Sequence, residues 1–245
     1  MGVTQPDPHV RAGARTHHPL DNPIWHSLAS VHTQFAERAA LARRFPSDVT
    51  ALGGFVTPSA QAWRDLASLP SAAKFTVLFL DAPVDPPAGW AILETGVAVQ
   101  MIYEAVQPPS VSPGSEPIVN LTAGDAPEML ALAQLTRPGP FGIRARELGT
   151  FLGIRREGKL VAMAGERLRL PGFTEISAVC TDPQHTSHGL GAALVIASLE
   201  RICGRGEVPF LHVREANTRA IALYQRLGFV RRRAFQFVAV RPLAA

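Results

Sequence analysis

The 245-residue sequence predicts a mixed α/β fold in which a smaller α/β lobe precedes a larger α/β domain. Two observations carry this prediction. A Pro/Ser/Gly-rich segment at residues 107–116 has the composition of a linker, and strand and helix patterns alternate regularly after it. We therefore predict a disordered tail over residues 1–20, an N-terminal lobe over residues 21–106 and a second domain over residues 117–245.

The helices of the N-terminal lobe are predicted from proline positions and from alanine-rich stretches. Pro23 follows two residues suited to capping a helix and marks the first turn of one helix. Residues 35–44, rich in Ala, Leu and Arg, predict a second helix that Pro46 would end. Residues 57–69, which begin Thr-Pro, predict a third helix.

The strands of the same lobe are predicted from apolar runs. Residues 75–80 indicate a buried strand, and residues 90–93 with 97–103 indicate a hairpin around Gly96. This half of the chain contains no motif that would itself carry chemistry. Its role is unknown from the sequence, and we expect it to cover or extend a substrate cleft.

The second domain shows strands and helices in regular succession. Strands are predicted at residues 118–121, 150–154, 160–166, 173–181, 209–213 and 235–240. Helices are predicted at residues 125–135, 189–204 and 217–227. The strand at 173–181 and the strand at 209–213 are expected to diverge and so to open a cleft between them.

Composition excludes several classes of protein. No apolar run is long enough to span a membrane or to serve as a secretion signal, so we expect a cytoplasmic protein. The two cysteines, Cys180 and Cys203, lie in apolar stretches and predict free thiols. The basic residues behind the net charge of +4 are not interleaved with aromatic residues, so we do not expect nucleic acid as a partner. No histidine or cysteine spacing fits a metal site, so we predict no metal.

Residues 179–191 combine a strand end, a short polar loop and a glycine-rich helix start. Free backbone N–H groups at a helix N-terminus favour an anion, and Gly189 and Gly191 would let a bulky phosphate approach them. A pyrophosphate fits such a site. Glycines at these positions could also serve close helix packing, so the motif gains weight from its neighbour in the sequence.

That neighbour runs from Asn217 to Phe229, with the sequence Asn-Thr-Arg-Ala-Ile-Ala-Leu-Tyr-Gln-Arg-Leu-Gly-Phe. Together the two motifs resemble the GNAT superfamily of N-acetyltransferases, a likeness that covers residues 118–240. The run at residues 164–181 resembles the glycine N-acyltransferase-like C-terminal domains. The resemblance implies a mixed, mostly antiparallel central sheet flanked by helices. Two-lobed relatives suggest that the N-terminal lobe is a degenerate copy of this fold.

The resemblance implies acetyl-CoA as the acyl donor and assigns residues to it. The backbone of Val179, Cys180 and Thr181 would pair with the pantetheine arm as an added strand does. Asn217 would lie near the coenzyme, or serve only as a helix cap. The pyrophosphate would lie against the loop and helix start formed by Thr186, Ser187, His188, Gly189, Leu190 and Gly191.

The phosphate loop departs from the family pattern. Where relatives carry Arg or Gln and a further basic residue, this chain has Thr186, Ser187 and His188. The two hydroxyls can donate to phosphate oxygens, and the histidine can carry part of the missing charge. Because a charge-assisted hydrogen bond is lost, we expect roughly tenfold to a hundredfold weaker binding of the donor.

The catalytic candidates are Tyr224, Glu175 and His212. Tyr224 matches the general acid of the family, and a phenol with a pKa of about 10 can donate to a departing thiolate at neutral pH. A helix-face tyrosine that only packs in the core is the alternative. Glu175 and His212 are the two candidates for the general base, directly or through water. A solvated glutamate and a core histidine are their structural alternatives.

The sequence therefore predicts an acyltransferase that moves an acetyl or short acyl group from acyl-CoA to a primary amine on a small molecule or peptide. The amine attacks the thioester directly, so no enzyme nucleophile is needed. The alternative is a catalytically weak acyl-CoA-binding or sensor module that keeps the fold. We expect a monomer or a homodimer.

Overall fold

A computed structural model describes residues 18–70, 74–110 and 116–243. In this part of the chain eleven strands form one sheet in the order β1-β2-β3-β4-β11-β5-β10-β9-β8-β7-β6. The strands are β1 (Glu37–Arg38), β2 (Ala42–Arg44), β3 (Leu52–Phe55), β4 (Thr76–Leu80), β5 (Trp90–Tyr103), β6 (Ile118–Asn120), β7 (Phe151–Arg156), β8 (Lys159–Leu170), β9 (Phe173–Thr181), β10 (Val208–Arg214) and β11 (Phe229–Pro242). All pairings are antiparallel except β3 with β4 and β9 with β10.

Five α-helices pack against this sheet in the described residues. They are α1 (Pro23–Ala29), α2 (Ala60–Ala67), α3 (Ala126–Thr136), α4 (Leu190–Gly204) and α5 (Thr218–Arg226). The predicted mixed sheet, mostly antiparallel and flanked by helices, is confirmed. None of the helices in the described residues combines the length and the apolar character that crossing a bilayer requires.

The second domain follows its sequence pattern closely. Strand β9 has the predicted bounds, and β7 and β8 form the predicted hairpin through a turn at Glu157 and Gly158, both with positive φ. Asn217 caps α5 because its Oδ1 accepts from the N–H of Ala220 at 3.1 Å. Gly228, with φ of +100°, follows the helix end as predicted.

In the N-terminal region α1 begins at Pro23 as predicted, and the third predicted helix begins slightly later than expected. Ser59 is the N-cap of α2, and its Oγ accepts from the N–H of Ala62 at 3.1 Å. Ser59 thus takes the capping position that the Thr57-Pro58 pair was expected to hold. A side-chain cap on the second or third helical N–H is the usual reason for such a start.

The helix predicted over residues 35–44 is wrong, because this stretch forms the hairpin of β1 and β2. Ala42 and Arg44 alternate inward along β2, and both are completely buried. The Nε of Arg44 donates to the carbonyl of Phe45 at 3.1 Å. Burial on a period of two, set by pairing with β3, overrides the helix preference of Ala, Leu and Arg.

The hairpin predicted around Gly96 is also wrong, because residues 90–103 form the single strand β5. Gly96 lies opposite Phe237 of β11. A Cβ added to Gly96 would stand 2.6 Å from Cε1 of the Phe237 ring. The glycine is therefore explained by the close approach of an aromatic ring and not by a turn.

Strand β5 joins the two predicted domains. It lies between β10 and β11 and pairs antiparallel with both, although it precedes the predicted linker. The boundary at residues 107–116 stays a prediction, and residues 111–115 lie outside the described residues. The predicted tail lies outside them up to residue 17, whereas Leu20 is fully buried in the core. Strands from both halves thus build one sheet.

Candidate active site

The main cleft opens where β9 and β10 separate. The two strands pair at three positions, the last being Phe210 opposite Glu175, and then diverge as predicted. A cleft of about 570 Å³ occupies the gap. Tyr224 lines it from the face that carries α4 and α5, and Phe79 and His212 line it from the opposite face. The cleft therefore connects both faces of the sheet.

A β-bulge shapes the β9 side of the cleft. Ser177 pairs with Gly165 and Cys180 pairs with Met163, so two residues of β9 oppose one residue of β8. Ala178, inside the bulge, has φ of +52°. A bulge leaves backbone groups without ladder partners and turns them away from the sheet. Here they belong to the stretch that also lines the cleft.

The loop before α4 forms a sharp turn with an open helix N-terminus. Ser187 and Gly189 have φ of +67° and +75°, and Gly189 is the N-cap of α4 without any side-chain cap bond. No atom lies within 4 Å of where a Cβ on Gly189 would be, so the approach to the helix start is clear. Leu190 and Gly191 begin the helix as predicted. This geometry suits an anion.

Two side chains of this loop already contact backbone carbonyls of the loop itself. The hydroxyl of Thr186 donates to the carbonyl of Pro183 at 3.2 Å. His188 Nδ1 lies 3.2 Å from the carbonyl of His185, so this nitrogen donates. Their predicted contacts with phosphate remain predictions.

A guanidinium that was not predicted from the sequence stands beside this loop. The Nη2 of Arg219, in the first turn of α5, donates to the Oγ of Ser187 at 3.3 Å. Both side chains are exposed, and Arg219 forms no ion pair in the described residues. The sequence did contain a signal for this contact, because Arg219 belongs to the motif that starts at Asn217. One helix and one strand separate that motif from the loop.

Tyr224 lies on the buried face of α5 and lines the cleft with only 8% of its surface exposed. Burial raises the pKa of Tyr224 to about 12. Its ring packs edge-on against Phe229 at 5.9 Å between ring centroids. The hydroxyl has no hydrogen-bond partner among the described residues, so the proton is free to face a ligand in the cleft.

The remaining predicted contacts lie at the same place. Asn217 lines the cleft beside Val179, Cys180 and Thr181 of β9. Burial raises the pKa of the Cys180 thiol to about 11, so the thiol is neutral and its backbone is the useful part. Both cysteines are free thiols. No trio of His, Cys, Asp or Glu in the described ranges could hold a metal, and the expectation of a metal-free site stays a prediction.

Glu175 is completely buried and held by two partners. Arg167 donates to it through Nε at 2.8 Å and through Nη2 at 2.7 Å, and His212 Nδ1 lies at 2.7 Å. Burial disfavours the ionised carboxyl, but the charge and hydrogen bonds of Arg167 and His212 outweigh it and lower the pKa of Glu175 to about 2. The carboxylate is therefore charged and does not itself line the cleft.

His212 is held in one tautomer. Because the carboxylate of Glu175 accepts, Nδ1 of His212 carries the proton. Its Nε2 lies 3.1 Å from Nε2 of Gln100, which can only donate, so Nε2 accepts. Burial lowers the pKa of His212, against the raising effect of Glu175. The ring is neutral, with both nitrogens occupied.

Comparisons with known proteins agree with this geometry. The family model described as FR47-like protein matches residues 151–238. The N-alpha-acetyltransferase RimI of Mycobacterium tuberculosis is 38% identical over 122 residues, which are 45% of this chain and 76% of that protein. A mycothiol acetyltransferase of Acidimicrobium ferrooxidans is 34% identical over 86 residues, 33% of this chain and 27% of that protein. The chain thus spans well under half of that relative.

A solved structure resembles nearly the whole chain. The putative acetyltransferase from the GNAT family of Novosphingobium aromaticivorans is 36% identical, with a TM-score of 0.84, and the likeness covers 93% of this chain and all of that one. The fold and these likenesses define the class as that of the acetyltransferases. Within that class, the chain belongs to the GNAT family of N-acetyltransferases.

Proposed function

We propose that this protein transfers an acetyl or short acyl group from acyl-CoA to a primary amine. The observation that carries the proposal is the cleft between β9 and β10, which has Tyr224 on one wall and leads to both faces of the sheet. Such a passage lets a thioester enter from the helix face and an amine from the opposite face. Attack then needs no enzyme nucleophile.

Acetyl-CoA fits the residues present. Beyond Glu175 the edge of β9 that faces β10 is unpaired, and with the bulge at Ala178 and Val179 it offers backbone groups to a pantetheine arm. The open start of α4 at Gly189 offers N–H groups to the diphosphate. Arg219 supplies the charge that the loop lacks. Bound there, acetyl-CoA would supply an acetyl thioester. Asn217 would keep its capping bond and contact the coenzyme beside it.

Tyr224 serves the leaving group. As the amine nitrogen bonds to the acyl carbon, the C–S bond breaks, the amine gives up a proton and the sulfur gains one. Because burial raises the pKa of Tyr224 to about 12, its phenol stays protonated and donates a hydrogen bond to the developing thiolate. Complete transfer to a thiolate with a pKa of about 8.5 would be uphill by roughly 5 kcal/mol, so Tyr224 keeps its proton. The proton that the attacking amine releases is carried by water and ends on the sulfur.

In this proposal Glu175 and His212 have a positioning role and do not serve as the general base. A carboxyl with its pKa lowered to about 2 is a weak base, and His212 Nε2 is occupied by Gln100. Together with Arg167 they fix the wall of the cleft at the point where the strands part. The acceptor amine then loses its proton to water, which nearby positive charge in the cleft favours.

The experiment that tests the proposal combines binding with turnover. Calorimetry with acetyl-CoA measures binding of the donor, and a thiol-release assay over a panel of amines measures transfer. We expect binding together with release on at least one class of amine. Binding without release on any amine would favour the acyl-CoA-binding or sensor module, and absence of binding would contradict both functions.

Three finer assignments belong to the same proposal. The run at residues 164–181, which resembles the glycine N-acyltransferase-like domains, supports placement in that subgroup. The free thiols support a cytoplasmic location. The monomer or homodimer stays a prediction that light scattering would measure.

A further inference from the structure

The acceptor side of the cleft has an apolar wall built by the N-terminal region. Val77 and Phe79 of β4 line the cleft together with Phe75, which directly precedes the strand, and Phe237 of β11 continues the same surface. Phe75 leaves 38% of its surface exposed, whereas Val77 and Phe237 are nearly buried. An apolar surface inside a cleft indicates a ligand with an apolar group.

A buried guanidinium faces the same cleft. Arg167 is only 8% exposed, and its Nε and Nη2 are bound by Glu175. Its Nη1 points toward the loop above the cleft, 3.8 Å from where a Cβ on Gly139 would be. In the described part of the chain Nη1 has no hydrogen-bond partner. Because Arg167 lines the cleft, this free N–H group can donate a charge-assisted hydrogen bond to an oxygen of a ligand bound there.

The charged residues that line the cleft, counted together with the carboxylate of Glu175 behind Arg167, leave one positive charge in excess. Glu94 forms an ion pair with Arg214, and Glu175 forms one with Arg167. Arg137, at the end of α3, also lines the cleft and has no ion pair in the described residues. The excess favours an acceptor that carries an anionic group and disfavours a polycationic amine.

We propose that the acceptor is a free α-amino acid with an apolar side chain. Its carboxylate would bind Nη1 of Arg167 with Arg137 beside it, and its side chain would pack on Phe75 and Phe79. The α-amine would then face the gap between β9 and β10. This inference rests on the proposed function and names its substrate class.

The test compares acceptors that differ by one group. Purified full-length protein with saturating acetyl-CoA is assayed for thiol release on L-phenylalanine, L-phenylalaninamide, phenethylamine and spermidine. We expect kcat/KM for L-phenylalanine to exceed that for the amide and for phenethylamine by roughly tenfold to a hundredfold, the effect of a charge-assisted contact. Spermidine is expected to be poorer still.

Two variants sharpen the test, with one matched control. Arg137→Gln is expected to reduce the preference for L-phenylalanine over phenethylamine several-fold. Phe75→Ala is expected to lower kcat/KM for L-phenylalanine several-fold more than it lowers that for glycine. Arg226→Gln removes an exposed charge of α5 that does not line the cleft, and we expect it to change neither ratio.

The outcomes separate this inference from the proposed function. Equal or faster turnover of phenethylamine or spermidine would overturn the amino-acid acceptor and leave the acyltransferase standing. Thiol release on no amine, with acetyl-CoA bound, would overturn the acyltransferase. In that case calorimetry of L-phenylalanine with the CoA-loaded protein decides: binding weakened by Arg137→Gln supports the acceptor site, and unaffected or absent binding overturns it.

Discussion

The two faces of the cleft are built in different ways. The face proposed to bind the coenzyme, here called the coenzyme face, comes from one nearly continuous stretch, in which β9, α4, β10 and α5 follow each other along the chain. The face proposed to bind the acceptor, here called the acceptor face, is assembled from β4, β5 and β11, which lie far apart in sequence. Local sequence motifs can predict the coenzyme face, whereas the acceptor face forms only through long-range strand pairing. The proposed donor binding and the proposed acceptor specificity are therefore placed on separate parts of one sheet.

The largest effect is expected where the two faces meet, at the buried ion pair. Glu175→Gln leaves the charge of Arg167 buried without its partner, and we expect a loss of unfolding free energy of about 3 to 5 kcal/mol. Chemical denaturation at pH 7 measures it. The exposed ion pair of Glu94 with Arg214 offers the control, because Glu94→Gln should lower the unfolding free energy by less than about 1 kcal/mol. Equal losses in the two variants would contradict this account.

The same pair gives a pH dependence with a defined sign. The pKa of Glu175 is lowered to about 2 in the folded protein, below its unfolded value. Its contribution is therefore complete above the unfolded pKa and is lost as the pH falls from about 4.5 toward 2. The fall should be shallower in Glu175→Gln, as followed by denaturation between pH 3 and pH 7. Parallel curves for the two proteins would argue against it.

On the coenzyme face, Tyr224→Phe tests the hydroxyl that faces the cleft. We expect kcat to fall by about a hundredfold, within the usual range for a lost hydrogen-bond donor to developing negative charge. The KM for acetyl-CoA should change little, because the ring still packs against Phe229. Steady-state kinetics on the best acceptor measures both constants. An unchanged kcat would assign Tyr224 to packing alone.

On the acceptor face, Gly96→Ala tests whether β5 is continuous there. The new Cβ would stand 2.6 Å from the Phe237 ring, so we expect a loss of about 1 to 3 kcal/mol from overpacking. Thermal unfolding measures this loss. Gly204→Ala is the matched control, since nothing lies within 4 Å of its added Cβ. If Gly96→Ala is as stable as the wild type, the close approach of the Phe237 ring does not explain the glycine at this position.

The smallest effect is expected at the edge of the coenzyme face. Arg219→Ala should weaken binding of acetyl-CoA about tenfold, the loss of one exposed charge-assisted contact. Because S-acetylpantetheine lacks the diphosphate, its KM should not change. Arg226→Ala, at the other end of α5, should affect neither donor. An equal loss with both donors would show that Arg219 acts on the fold of α5.

The sequence predictions succeeded for local features and failed for long-range contacts, in line with the difference between the two faces. The strand at residues 173–181 and the cap at Asn217 depend on near neighbours, and both were predicted correctly. The helix predicted over residues 35–44 failed because Arg44 is buried by strands that the local pattern does not contain. Arg219 and Arg167 were missed as site residues because their partners are remote in sequence or lie across a bulge. Local propensity cannot report such contacts.

The position of β5 has a consequence for how the polypeptide matures on the ribosome. Gln100 of β5 and His212 of β10 are bonded across 112 positions of the chain. While the chain is being made, β5 therefore emerges long before either neighbour and must wait with both edges unpaired. Strands in that situation are prone to mispairing, so we expect nascent chains to depend on chaperones until β10 and β11 have emerged.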